Sequence, residues 1–243
     1  MPTKSLPRTL TLAAAIAAAL SLTCTASAGE IAVDGTTCTL ADAITAANTD
    51  TATGGCNAGS GVDTLAIMNN VSVSGELPLI TSDMRIIGAA GSPPTTTIAG
   101  DGMHRLFFVG ANDGNTEMAP NVLFRDLQVQ RGTAQGGNGD GGGAGLGGAL
   151  FEYAGAVTLQ NVEAYSNTAD GGAGGVSTLG EGGDGGAGMS GSGGAGGSGS
   201  PGGGAGNTDG FGGGGGGGGD AGGSSGGDGG GTYFGMGGVS GGA

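Results

Sequence analysis

The chain has 243 residues with only 6 basic against 20 acidic ones, a formal net charge of −14, and 65 glycines. So few Lys and Arg exclude nucleic-acid binding driven by displacement of phosphate counterions, and they argue against docking on anionic membrane surfaces. A chain this acidic is expected to be soluble and repelled by polyanions.

Residues 1–28 read as a targeting segment. Lys4 and Arg8 give a positive start, Leu10 to Leu22 an apolar run, and Ala26-Ser-Ala28 a small-residue cleavage site, with cleavage after Ala28. The run is too short and too Ala-rich for a membrane span, so no integral span is expected in the mature chain. A lipoprotein signal ending at Cys24 fits poorly, because Ser21-Leu-Thr-Cys24 has Ser where an aliphatic residue is wanted. The length and Ala-rich core suggest bacterial export. Without this segment the basic residues are Arg85, Arg105, Arg125 and Arg131 alone. Two cysteines remain, Cys38 and Cys56, and an even pair in an exported chain reads as a disulfide. Closing this loop would contribute roughly 3 kcal/mol on chain entropy.

Residues 29–62 read as an entry cap. Thr39 and Asp42 have capping-box spacing, with Asp in place of Glu or Gln. Leu40, Ala43, Ile44 and Ala47 then form one apolar face of a short helix. Asn48 and the polar run to Gly55 end it. Stacked repeats need such caps to cover apolar surface and unpaired strand edges.

Residues 63–172 carry recurring short apolar segments, the signature of stacked supersecondary units. One series recurs every twenty residues: Thr64-Leu-Ala-Ile67, Met84-Arg-Ile-Ile-Gly88, His104-Arg-Leu-Phe-Phe-Val-Gly110 and Phe124-Arg-Asp-Leu-Gln-Val129, with Arg85, Arg105 and Arg125 at one shared place. A second echo aligns residues 122–137 with 157–172, matching Val122 to Val157, Phe124 to Leu159, Leu127 to Val162 and Val129 to Ala164. The strands are short and β-branched or aromatic, broken by pairs such as Ser92-Pro-Pro94 and Asn112-Asp-Gly114, with no helical periodicity. Two or three such strands per rung, stacked in parallel at roughly 4.8 Å, describe an all-β parallel β-helix. Alternation places Leu127 and Val129 inward and Gln128 and Gln130 outward, and Ile87, Phe107 and Leu127 should share an interior column. Asp126 and Asn161 fall at equivalent bends, where polar side chains can cap the neighbouring rung.

From Gly132 the composition turns to glycine, interrupted by Ala149-Leu-Phe151 and Val157 to Tyr165, which supply one more rung. Residues 173–243 have almost nothing to bury and read as a disordered glycine-rich region, an insertion or a truncated end. Gly231-Thr-Tyr-Phe-Gly235 reads as the start of another rung.

The stretch Cys38-Thr-Leu-Ala-Asp-Ala-Ile-Thr-Ala-Ala-Asn48, then Gly54-Gly-Cys-Asn-Ala-Gly59 and Asp63-Thr-Leu-Ala-Ile67, resembles the CSLREA domain of exported bacterial proteins. In that family Cys-Ser-Leu-Arg-Glu-Ala-Ile leads into Ala-Ala-Asn, Gly-Gly-Cys and Asp-Thr-Ile. Here Thr39 replaces Ser, and Ala41-Asp42 replaces Arg-Glu, while the Cys pair and its spacing hold. Leu77-Pro-Leu-Ile-Thr-Ser-Asp83 into Arg85-Ile-Ile-Gly88 is similar to the strand entering that family's right-handed parallel β-helix, and residues 124–137 resemble its rung. The likeness spans residues 36–172. It implies a fold with a short helical cap and a secreted or outer-surface, adhesin-like setting, the polymorphic outer-membrane proteins among them. It implies no reaction.

The chain's charged residues offer one candidate for chemistry. Stacking every twenty residues would line Arg85, Arg105 and Arg125 along one face, a possible sugar or carboxylate groove. With Asp83, Asp101 and Asp126 they are the nearest approach to the carboxylates and base of a polysaccharide lyase. His104, the single histidine, lacks a nucleophile elbow and is expected against Phe107 or Phe108. Gly136-Gly-Asn-Gly-Asp140 and Gly203-Gly-Ala-Gly-Asn-Thr-Asp209 misplace Asp for a calcium-binding nonapeptide. No Gly-Lys-Ser/Thr follows a strand. The reading is therefore a non-enzymatic secreted or cell-surface β-helix protein with a structural or adhesive role toward glycans or proteins. No catalytic residue, cofactor or metal is assigned. The alternative is a carbohydrate-active β-helix enzyme, lyase- or hydrolase-like, truncated before its catalytic rungs.

Overall fold

The computed structural model describes residues 29–112, 116–136 and 144–173. The segment expected to be cleaved after Ala28, residues 113–115, residues 137–143 and the glycine-rich residues 174–243 lie outside them.

Alternating apolar residues form short strands: β1 (Glu30–Val33), β2 (Asp63–Ile67), β3 (Val71–Ser72), β4 (Met84–Ile87), β5 (Thr96–Ala99) and β6 (Phe107–Val109). They continue as β7 (Ala111–Asn112), β8 (Glu117–Met118), β9 (Asn121–Gln130), β10 (Thr133–Gln135), β11 (Leu150–Glu152), β12 (Ala156–Tyr165) and β13 (Thr168–Asp170). A helix, α1 (Leu40–Thr49), interrupts the first turn. Apart from the small β7–β8 hairpin, the strand pairs are parallel, and together they wind a β-solenoid of about four turns.

Three faces result. The first stacks β1, β2, β4 and the front halves of β9 and β12. The second stacks β3, β5 and the rear halves of β9 and β12, and continues past a corner into β10 and β13. The third stacks Ile80, β6 and β11. β9 belongs to two faces because it bends at Asp126, where the backbone is left-handed (φ 56°). Asn161 repeats that bend in β12 (φ 51°), and Arg131 and Ser166 form the next pair of corners (φ 59° and 53°). Asn161 Nδ2 donates to Asp126 Oδ1 at 2.6 Å and to the Gly91 carbonyl at 2.5 Å, the capping expected of these bends. Asn167 works similarly, accepting from Gly132 N at 2.8 Å and donating to the Val129 carbonyl at 2.9 Å.

The two repeat readings fare differently. β9 and β12 pair Val122 with Val157, Phe124 with Leu159, Leu127 with Val162 and Val129 with Ala164, as the longer echo requires. The twenty-residue period is not a rung. Thr64 pairs with Arg85, but Arg85 then pairs with Leu123 and Ile87 with Arg125. The segment containing Arg105 leads into β6 on a different face. A one-residue difference in register exchanges the two sides of a strand, so Ile86 rather than Ile87 faces the core beside Phe124. Leu127 and Phe107 are interior as expected, with the Phe107 and Phe124 rings 4.8 Å apart. Leu127 and Val129 are buried, and Gln128 and Gln130 are only partly so.

Leu65, Met84, Ile86, Ile98, Phe124 and Leu127 fill the solenoid interior, each contributing about 1.5–3 kcal/mol by leaving water. Below them α1 buries Leu40, Ala43, Ile44, Ala46 and Ala47. Its N-terminus is set by Thr39, whose Oγ1 accepts from Asp42 N at 3.1 Å and donates to Asp42 Oδ2 at 2.7 Å. The Asp side chain is thus spent on the Thr hydroxyl instead of reaching back to the cap's backbone N–H. The Cys38–Cys56 disulfide joins the residue before this cap to the returning loop. Asp34 seats the loop ahead of it, accepting at Oδ1 from the N–H groups of Thr36, Thr37 and Cys38. At its far end Asn48 donates to the Leu79 carbonyl at 2.6 Å and accepts from Thr81 N at 3.0 Å, locking the cap to the solenoid wall.

Candidate functional site

The outward side of the first face follows from the register. Arg85, Leu123 and Thr158 form one row across three rungs; Ile87, Arg125 and Gln160 form the next. Arg85 and Arg125 are therefore diagonal neighbours on adjacent strands, close enough for long side chains to act on one ligand. A groove of about 310 Å³ runs beside Arg85, lined also by Asp83, Asn121, Leu123 and Thr158. Asp83 is committed to the wall, accepting from Asn121 N at 2.7 Å. Arg125 Nε lies 3.5 Å from Asp126 Oδ2 and has no hydrogen-bond partner among the described residues. Among those residues Arg125 pairs with Asp126 and the His104 ring contacts Asp101, and neither pairing includes Arg85.

Arg105 stands apart. It is 6% exposed, its Nε donates to the carbonyls of Leu146 and Gly147 at 3.0 and 3.1 Å, and Nη2 donates to Leu146 at 2.8 Å. The guanidinium lies 5.4 Å from the Phe108 ring centre and 5.5 Å from that of Phe151. Burial lowers its pKa, against the charge of Glu76. The expected line of three arginines is thus a surface pair and one buried structural cation.

The second face carries a polar row that was not singled out in the sequence. Thr97 Oγ1 donates to Gln128 Oε1 at 3.2 Å, Gln128 Nε2 donates to Glu163 Oε2 at 3.1 Å, and Tyr165 OH reaches Gln128 Oε1 at 3.4 Å. The pairing of residues 128 and 163 was implicit in the longer echo. Thr97 was not legible, because its rung is of a different length.

Other ionisable groups have structural settings. Asp63 is fully buried, accepts from Ser60 N at 2.7 Å, and has its carboxylate packed against Gly29 and Gly59, where a Cβ would collide with it. Burial is the largest influence on it and pushes its pKa up, outweighing the Ser60 N–H bond. His104 Nδ1 lies 2.7 Å from Asp101 Oδ2, so its polar partner is Asp101. Burial alone would raise the Asp101 pKa, but hydrogen bonds from the Met103 and His104 backbone and the His104 ring together hold it below the ordinary range. Among the described residues no three His, Cys, Asp or Glu side chains converge to hold a metal ion, and no helix is long and apolar enough to cross a membrane.

Compared with family models, with curated proteins and with solved structures, the chain matches none. The fold defines it as a parallel β-solenoid with a disulfide-tied helical cap.

Proposed function

We propose that this is an exported, non-enzymatic β-solenoid of CSLREA type, structural or adhesive in role, that contacts carboxylate-bearing partners through its first face. The observation that carries the reading is the outward Arg85–Arg125 diagonal, with Arg85 lining a groove, in a chain with 20 acids. Guanidinium groups pair carboxylates with two parallel hydrogen bonds, and Leu123 and Thr158 beside them offer apolar and hydroxyl contact suited to a sugar. The surrounding negative charge repels polyanions, which selects glycans with isolated acidic sugars, or single protein carboxylates, over densely charged chains. The disulfide supports export, since such bonds persist in oxidising compartments.

The test is glycan and cell-surface binding by the full chain. Binding to sparsely acidic glycans should fall at least tenfold in Arg85→Ala and Arg125→Ala, weaken with salt, and leave the ligand uncut. Cleavage of an acidic polysaccharide that is lost in these variants would overturn the reading in favour of the carbohydrate-active enzyme.

A further inference from the structure

We propose that the outer edge of β11 is a docking surface for the chain's own residues 232–236, which add as the next parallel strand of the third face, Phe234 over Phe151 and Tyr233 over Leu150.

The edge is open among the described residues. β11 pairs on one side with β6, Phe107 to Leu150, Phe108 to Phe151 and Val109 to Glu152. Phe107 N donates to the Ala149 carbonyl at 3.0 Å and Tyr153 N to the Val109 carbonyl at 2.8 Å. Backbone groups alternate sides along a strand, so those of Leu150 and Glu152 point away from β6, toward the next rung. Side chains stack along this face. The rings of Phe108 and Phe151 are 5.1 Å apart, with Arg105 against both. Inside, Leu159 occupies the place aligned with Phe124 yet is 56% exposed, so the core is uncovered at this end.

The sequence supplies a matching strand. Gly147-Gly-Ala-Leu-Phe-Glu-Tyr-Ala-Gly155 aligns with Gly230-Gly-Thr-Tyr-Phe-Gly-Met-Gly-Gly238. The positions that coincide are the ones the geometry demands. Gly147 is left-handed (φ 62°), and a Cβ at Gly148 would strike the Thr168 carbonyl oxygen. Gly155 (φ 107°) turns the corner into β12 and would meet the Pro120 oxygen. These three correspond to Gly230, Gly231 and Gly238, while Phe151 corresponds to Phe234. The intervening tracts also correspond: a glycine-rich stretch follows β10 before Gly147, and a longer one follows β13 before Gly230. Tyr233, in the place of Leu150, would cover Leu159.

In the full-length chain, cysteines at the register pair Glu152→Cys and Gly235→Cys should oxidise to an intramolecular disulfide at least tenfold faster than the off-register pair Glu152→Cys and Thr232→Cys. Leu150 and Glu152 amides should exchange at least a hundredfold slower than open-edge amides, and at least tenfold faster again in Phe234→Asp, with β9 amides unchanged as the check on folding. An intermolecular cross-link would assign the edge to a second copy and overturn the proposal. Equal oxidation of the two pairs, or fast exchange at Leu150 and Glu152 in the parent chain, would overturn it as well.

Discussion

Asn161 stands one rung above Asp126 and donates through Nδ2 to its Oδ1 at 2.6 Å, while both residues hold left-handed backbone at φ 51° and 56°. The pair does two jobs at once: it supplies residues that tolerate the corner conformation, and it bonds one corner to the next. Asn161→Asp replaces this bond with two carboxylates face to face, which repel each other when both are charged and not when they are protonated. Thermal unfolding should show a loss of about 2 kcal/mol at neutral pH, largely recovered near pH 4. Asn161→Gly should cost about 1 kcal/mol less than Asn161→Ala, since only alanine adds backbone strain. Equal melting temperatures for Asn161→Asp and the parent at pH 7 would refute the direct bond.

The corner pair also shows what the sequence discloses. Rungs three and four have the same number of residues from Val122 to Gln135 and from Val157 to Asp170, so their side chains align in the linear sequence as they do in space. The earlier rungs contain excursions of unequal length: α1 within the first turn, residues 88–95 between β4 and β5, and the β7–β8 hairpin. Nothing local in a two- to five-residue strand encodes the length of the excursion after it. The regular spacing of Arg85, Arg105 and Arg125 therefore coincides with no ladder, and one register step places Ile86 inside instead of Ile87. The cap was legible for the opposite reason. Its helix, Thr39 cap and Cys pair are set by contacts close in sequence.

The Cys38–Cys56 bond closes the loop that carries α1. Replacing both cysteines with serine should cost roughly 3 kcal/mol through the unfolded chain's regained entropy. The loss should appear first in the cap: exchange at Ala43 to Ala47 should quicken before that of β9, because α1 covers only the bottom of the core. Denaturant titration with and without reductant measures the first effect, and site-resolved hydrogen exchange the second. A midpoint unmoved by reductant would show that the cap holds by packing alone.

Acid and neutral pH should pull on different aspartates. Asp63 has a folded pKa raised chiefly by burial, so the stability it lends is complete below its unfolded value, about 4, and is lost as pH rises through the folded value. Asp34 is lowered, first by the Thr36 N–H bond and then by that of Cys38; its contribution is present above about pH 4 and is lost as pH falls through the folded value. Asp63→Asn should raise the melting temperature relative to the parent at pH 7 and lose that advantage near pH 3. Asp34→Asn should do the reverse, lowering it at pH 7 with the gap closing in acid. Melting curves between pH 2.5 and 8 decide both, and parallel curves for parent and Asp63→Asn would remove the charge-burial account.

The arginines give the sharpest separation of structure from function. Arg105 satisfies the Leu146 and Gly147 carbonyls and lies against Phe108 and Phe151. Arg105→Ala leaves those carbonyls without their donors and opens a gap against two rings, which should cost about 3 kcal/mol. Arg105→Lys should recover less than half of this, because a single ammonium cannot reproduce the planar fork and its stacking. Arg85→Ala, at an exposed position on β4, should change stability by less than about 0.5 kcal/mol while weakening glycan binding. The two sets of variants, measured by denaturant unfolding and by binding on the same preparations, should therefore fall on opposite axes. If Arg85→Ala destabilised the fold as much as Arg105→Ala, the first-face arginine would be another strut of the solenoid, and the contact face would have to be sought along Thr97, Gln128 and Glu163.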